Sequence, residues 1–532
     1  MEDTKLKKKE LIIQLLNRNI LINPEILERA TEVDMGWIKE IIEAKEDNSL
    51  LVLNEEFEKI IKRDKRKLNE LNWLDLEKAK VIAEKNKGDN IYKKFIVNLE
   101  EGIDEKPKQN ENNKIRILFS YNQKSEPIKQ PIKIQDFVAY FVNRFSSLKK
   151  ILQNRSELQN ATSINRVLGK KNKEYATIIG MIKSKETSKS GGINLTLEDL
   201  TGTIKVFVNK NKNDIFDVAK DLVLDQVIGV LGITGNNILF ANSIIEPGIP
   251  SNRELKKAPN EVYALFLSDL HVGSKLFLRE KFEKFLNWLN GDNERHTDLV
   301  TKIKYIFIAG DIVDGCSIYP GQDKELEIID IYDQYRECSK LLSKVPKSIK
   351  IILSPGNHDA MRISEPQPEL YKDFAHDLWK LDNVTMVSNP ALVNIESSDK
   401  FSGFDVLIYH GYSFDYYIAN VESIRSNGGY DRPDLIMKFI LQKRHLAPTH
   451  SSTLYFPDRE KDPLVIDKVP DIFVTGHLHK VSANNYKHIT TICGSCWQDK
   501  TPFQEKLGHK PEPCRVPIIN LQTREIKILK FI

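Results

Sequence analysis

Five apolar runs in the second half of the chain, VYALFLSDLH, KYIFIAGD, SIKIILSPGNHD, FDVLIYHG and DIFVTGHLH, each break off in a cluster of Asp, Asn, His or Gly. The first three are joined through segments such as REKFEKFLNWLN and ELEIIDIYDQYRECSKLLSKV, whose apolar residues recur at helical spacing. Strands alternating with helices imply a largely parallel sheet covered by helices. In such sheets ligands collect beyond the carboxyl ends of the strands, so loops distant in sequence meet there. All five runs deliver polar residues to that edge.

The residues delivered are those of a metal site. SDLH places Asp269 and His271 two positions apart, where an extended backbone would aim both to one side. AGD supplies Asp311, whose two oxygens can bridge two cations. SPGNHD supplies Asn357 and His358, although its Pro and Gly also suit an ordinary turn. IYHG adds His410, and TGHLH adds His477 and His479. Seven donors, with His358 set apart, exceed one tetrahedral ion and suit two ions sharing Asp311. Two cations about 3.5–4 Å apart clamp a phosphoryl group and activate the water between them, which points to phosphoester hydrolysis. His358 remains to protonate the leaving oxygen or neutralise transition-state charge, with Asp359 or Asp314 available to orient it or a neighbouring imidazole. All eleven histidines lie at or beyond His271, so the imidazole chemistry belongs to one C-terminal domain. Donors without thiolate suit Mn²⁺, Fe²⁺, Zn²⁺ or Ni²⁺.

A chain of 532 residues implies about three or four domains. The pattern predicts a small helical domain at 1–75, a charged linker with a possible short strand at 76–133, and a helical connector at 134–170. Short alternating strands between Gly, Asn and Ser turns predict a five-stranded OB-type barrel at 171–250, ahead of an α/β domain at 251–532. Such barrels commonly bind single-stranded nucleic acid, yet few aromatic residues occur here to stack on bases. A net charge of +4 argues neither for nor against nucleic acid. No run reaches membrane-spanning length and MEDTKLKKKE lacks the apolar core of a signal peptide, so a cytoplasmic location is expected. Cys493 and Cys496 form a CxxC without a second pair and are read as buried thiols. Phe282, Phe285 and Trp288 fall at core spacing on one helix. Asp415, in YSFD, stays ambiguous.

In order along the chain, DLH, GDIVD, GNHD, HG and GHLH resemble the motifs of calcineurin-like metallophosphoesterases, over roughly residues 262–500. That resemblance implies an α/β sandwich, the two-ion ligand set just described, and His358 as catalytic acid or phosphate contact. The flanking FLSDLHVGSKLF, GDIVDGCSIYPGQD, KRHLAPTHSSTLYFPD and SCWQDKTPFQ resemble the small subunits of archaeal family D DNA polymerases, from about Ile115 onward, while residues 1–113 match in layout only. The narrower resemblance implies a Mn²⁺-activated 3′→5′ proofreading exonuclease that acts on the primer 3′ end of DNA and partners a large polymerising subunit. It also implies a structural or DNA-facing role for Arg444 and His445. Alternatives are a free-standing DNA repair nuclease, a small-molecule phosphoesterase, and a non-catalytic polymerase scaffold of the kind found beside eukaryotic replicative polymerases. The complete ligand set favours an enzyme over the scaffold.

Overall fold

The computed structural model describes residues 115–121, 132–292, 297–506 and 508–532, together with residues 11, 14–15, 20–22, 38–39 and 51–53. The chain divides into two units, one formed by residues 1–109 and 124–130, the other by residues 110–123 and 131–532. In the first unit, strands β1 (Ile20–Ile22) and β2 (Leu51–Leu53) pair in parallel, a feature the helical reading of residues 1–75 does not contain. The rest of that expected domain lies outside the described residues, apart from helical positions 11, 14–15 and 38–39. Of the expected linker, the apolar stretch that follows the charged run forms β3 (Arg116–Ser120), which joins the second unit. No helix among the described residues is long and apolar enough to cross a membrane.

The second unit begins with helix α1 (Ile134–Gln153). Its Tyr140, Arg144, Phe145, Leu148 and Leu152 fall on one stripe and are all buried. The lower part of the stripe packs on barrel residues Ile179, Met181 and Val227. Tyr140 instead enters the core of the C-terminal domain, so one helix seals barrel and domain together. The barrel comprises β4 (Tyr175–Thr187), β5 (Ile193–Asp199), β6 (Gly202–Val208), β7 (Val227–Gly235) and β8 (Ile238–Ile245). They close in the order β4-β5-β6-β8-β7, which agrees with the five-stranded barrel expected at 171–250. Ile193, Leu195 and Leu197 point inward along β5 while the residues between them are half-buried, the alternation of a strand wrapped on a core.

Beyond the barrel stand two six-stranded sheets. One contains β9 (Tyr263–Leu267), β10 (Ile303–Ala309), β11 (Lys350–Ser354), β12 (Val384–Met386), β18 (Arg515–Asn520) and β19 (Ile526–Lys530), ordered β12-β11-β10-β9-β18-β19. The other contains β13 (Ala391–Ile395), β14 (Phe404–Ile408), β15 (Ile472–Thr475), β16 (Ser482–Tyr486) and β17 (Ile489–Cys493), with β3 at its edge in the order β16-β17-β15-β14-β13-β3. The single, largely parallel sheet implied by the strand and helix alternation is therefore corrected: three ligand-bearing strands belong to the first sheet and two to the second. Phe266, Phe307 and Ile352 of one sheet share a buried cluster with Val393, Val406 and Ile472 of the other. Helices α2 (Arg279–Leu289) and α3 (Ile331–Leu342) cover the first sheet, with Phe282, Phe285 and Trp288 in the core as expected. Helices α4 (Phe414–Asn420) and α5 (Pro433–Lys443) cover the second. Strands buried on both faces read as continuous apolar runs whichever sheet they join, which is why sequence patterning merges the two.

Candidate metal centre

The carboxyl ends of β9, β10 and β11 meet those of β14 and β15 at one edge of the sandwich. Five of the residues they deliver, Asp269, His271, Asp311, His477 and His479, have φ between 51° and 69°. The extended geometry expected for the Asp269 and His271 pair is thus corrected, because the chain turns left-handed as soon as each strand ends. Such conformations cost about 1–3 kcal/mol each in non-glycine residues and gather where a site demands them. The adjoining glycines are dictated by crowding. A Cβ on Gly310, at φ +85°, would lie 2.3 Å from His410 Nδ1, and one on Gly356 would lie 2.2 Å from Asp311 Oδ1.

Three sets of ligand atoms come together: Asp269, His271 and His479; His271, Asp311 and His358; and Asp311, His410 and His477. Asp311 Oδ2 stands between two of them, 3.3 Å from His410 Nε2 and 3.9 Å from His271 Nε2. Asp269 Oδ1 is 3.4 Å from His479 Nε2, and Asn357 Oδ1 is 2.9 Å from His410 Nε2. His271, Asp311, Asn357, His358, His477 and His479 line a cavity of about 280 Å³. Asp269 and His410 are fully buried beside them. All eight residues singled out from the sequence are therefore brought to one place.

In four of the rings the second nitrogen faces an acceptor, while His479 Nδ1 faces the Gln504 amide nitrogen. His410 Nδ1 faces the Ala309 carbonyl at 2.8 Å, His271 Nδ1 faces Asp314 Oδ1 at 3.1 Å, His477 Nε2 faces Asp415 Oδ2 at 3.0 Å, and His358 Nδ1 faces the Asp314 carbonyl at 2.8 Å. An acceptor at one nitrogen calls for the ring proton there and leaves the other nitrogen's lone pair bare, the arrangement that metal-ligating histidines require. The buried carboxylates compete for the same nitrogens, drawing protons onto the rings where no other cation balances them. Burial disfavours charge on Asp311, yet His410 and the neighbouring imidazoles hold its carboxyl well below the usual range. Burial likewise opposes charge on His410, and Asp311 outweighs it, lifting the imidazole to about 10. Two fully buried carboxylates, Asp269 and Asp311, thus demand compensating positive charge, which divalent cations would supply with the imidazoles neutral. The donor set fits two such ions sharing Asp311.

The supporting residues divide. Asp314 is buried, accepts from His271 and receives Gln498 Nε2 at 2.9 Å and Gln322 Nε2 at 3.0 Å. The Asp359 carboxylate is engaged away from the His358 ring. Its Oδ2 accepts the Gly356 and Ile312 N–H groups at 2.8 and 3.3 Å and its Oδ1 accepts Tyr335 Oη–H at 3.0 Å, clamping two ligand loops together. Burial, then the Asp311 charge, push the Asp359 carboxyl up to about 7. Arg444 and His445, for which a structural or DNA-facing role was expected, are both buried and neither lines the cavity. Arg444 donates to the carbonyls of Ile466 and Asp467 at 2.6 Å each, and His445 pairs with Asp462 at 2.8 Å. His445 belongs to the seam that binds α1, where Arg144 meets the same Asp462 at 2.6 Å. Cys493 and Cys496 are buried thiols, as expected. Sequence reasoning missed Gln498 and Gln504, the latter 2.9 Å from His479 Nδ1, and left Asp415 undecided. Gln498 and Gln504 lie inside SCWQDKTPFQ, a segment that carries the family resemblance, yet no local pattern there or at Asp415 names the partners, which lie 25 to 184 residues away.

Residues 264–483 match the family of the B subunit of DNA polymerases alpha and epsilon, and residues 176–238 match the OB-fold nucleic acid binding domain. The DNA polymerase II small subunit of Methanothermobacter thermautotrophicus is 38% identical over 401 residues, covering 75% of this chain and 80% of that protein. Its counterpart in Methanocaldococcus jannaschii is 37% identical over 394 residues, covering 73% of this chain and 64% of that protein. The one in Pyrococcus furiosus is 38% identical over 405 residues, covering 75% and 64%. With a barrel and a sandwich in the matched order, and identity sustained over most of its length, the chain belongs to the family of DNA polymerase II small subunits.

Proposed function

We propose that this polymerase small subunit is a two-metal 3′→5′ exodeoxyribonuclease that proofreads primer ends and also scaffolds a large catalytic subunit. The observation that carries the reading is the set of ring nitrogens turned inward around Asp311 by acceptors on their far sides. Asp269, His271, Asp311 and His479 would hold one ion, and Asp311, Asn357, His410 and His477 the other, with Mn²⁺ the proposed activator. When bound, such ions supply Lewis acidity that neutralises phosphoryl charge and makes water a nucleophile at neutral pH. The chain's own groups do the rest. Asp311 Oδ1 accepts the His358 backbone N–H at 2.8 Å, so the shared ligand also places the loop that carries His358. In its doubly protonated form His358 keeps Nδ1–H on the Asp314 carbonyl and would present Nε2–H to the departing 3′ oxygen, to which that proton passes. Complete ligands support catalysis over a purely scaffolding role.

The test is nucleotide-resolution sizing of a 3′-mismatched primer on its template, with Mn²⁺, for wild type and His358→Ala. Stepwise loss from the 3′ end that falls about 10²- to 10⁴-fold in the variant is expected for a proton-transferring side chain. No degradation by wild type, even with the large subunit added, would leave the scaffold reading instead.

A further inference from the structure

The cavity that holds the candidate metal ligands has a second wall, aromatic, to which the two-ion chemistry gives no task. Tyr412, two residues after His410, sets its ring edge-on to His477 with centroids 5.8 Å apart. Tyr430, in the turn Gly429–Asp431, lines the cavity beside Asp415, the same carboxylate that receives His477. The Tyr430 ring in turn lies 4.1 Å from the ring of His509, with their planes 39° apart. An ion pair of 2.7 Å between Lys480 and Asp431 ties this turn to the TGHLH loop. The wall is therefore bonded into the metal-ligating residues rather than hung beside them. Tyr412, Tyr430 and His509 are all only partly buried and all line the cavity, whereas Tyr409 and Tyr417 nearby are fully buried in the core.

Partly exposed aromatic rings lining a phosphate-hydrolysing centre suit a nucleobase. Stacking tolerates every base, because each presents a π-face, and tolerance is what removal of any mismatched nucleotide needs. A cavity of about 280 Å³ is small among ligand clefts, which suits one unstacked nucleotide rather than a duplex end. We infer that Tyr430, with Tyr412 and His509, forms the base subsite of this centre, holding the terminal 3′ nucleobase by stacking while its phosphate lies on the metal-ligating residues. The inference rests on the exonuclease reading above.

The experiment compares two single-stranded oligonucleotides of identical sequence, one ending in an ordinary 3′ nucleotide and one in a 3′ tetrahydrofuran abasic residue. First-cleavage kcat/KM is measured with Mn²⁺ for wild type, Tyr430→Ala and Tyr430→Phe. Wild type should prefer the base-bearing end, the preference should fall on the order of 10-fold in Tyr430→Ala, and Tyr430→Phe should retain it. Because each protein is its own reference, a fall in overall activity does not mimic the result. A wild-type ratio near one, or a ratio unchanged in Tyr430→Ala, would overturn the subsite. So would loss of the preference in Tyr430→Phe, which would assign the effect to the hydroxyl and Asp415. In each of these cases the exonuclease reading stands. A wild type that releases nothing from either oligonucleotide yet hydrolyses bis(4-nitrophenyl) phosphate would overturn the exonuclease reading and the subsite with it.

Discussion

His445 is built to stay neutral, and the cost of charging it is measurable. Its Nε2–H donates to Asp462 Oδ2 at 2.8 Å while its Nδ1 accepts the Ala447 N–H at 3.0 Å, so a second ring proton would meet a donor. Burial, then the Arg144 charge on α1, push the imidazole down to about 4, against the opposing pull of Asp462 and Asp225. In the unfolded chain the group titrates near 6.5. Between these values the unfolded state binds the extra proton, so the stability is fully present above pH 6.5 and is lost as pH falls toward 4. A difference of about 2.5 units corresponds to about 3 kcal/mol. The assay is urea unfolding of wild type and His445→Gln at pH 7, 6, 5 and 4.5. The variant should be less stable at pH 7, since a buried hydrogen-bonded fit is disturbed at a cost of about 1–3 kcal/mol. That gap should close or reverse by about 2–3 kcal/mol at pH 4.5, because only the wild type must release an imidazole proton on folding. A gap that stays constant from pH 7 to 4.5 would refute the buried neutral imidazole.

Two further perturbations probe the metal centre. Asp311→Ala removes the carboxylate that faces two ligand groups, so both ions should be lost; two ions per chain by elemental analysis would sink the shared-ligand assignment. Gly310→Ala adds a methyl group 2.3 Å from His410 Nδ1 at a φ of +85°. Displacement of His410 should weaken one ion and lower primer degradation at least about 10-fold, and an unchanged metal content with full activity would show that the loop yields instead.

The candidate ligand cluster was legible because its donors sit next to their own scaffold in sequence. Each apolar run ends within a few residues of the donor it carries, so Asp269, His271, Asp311, Asn357, His358, His410, His477 and His479 announce themselves without knowledge of the fold. The barrel was legible for a similar reason, since the alternation in INLTLED is a local signature of a strand with one face on a core. The resemblance left the role of Arg444 and His445 open between structural and DNA-facing. The structure buries both, with Asp462 accepting from His445 and backbone carbonyls accepting from Arg444.

The sequence by itself determined which chemistry is present and at which strand ends, because hydrophobic runs and donor identity are properties of short segments. Only the tertiary structure decided that the five strands divide between two facing sheets, since a strand buried on both faces carries no mark of its neighbour. It also decided which nitrogen of each imidazole faces inward. That choice is made by acceptors such as Asp314, Asp415 and the Ala309 carbonyl, which reach their histidines from 43, 62 and 101 residues away. A hydrogen bond between distant residues depends on where the folded backbone brings them, and no local pattern encodes that.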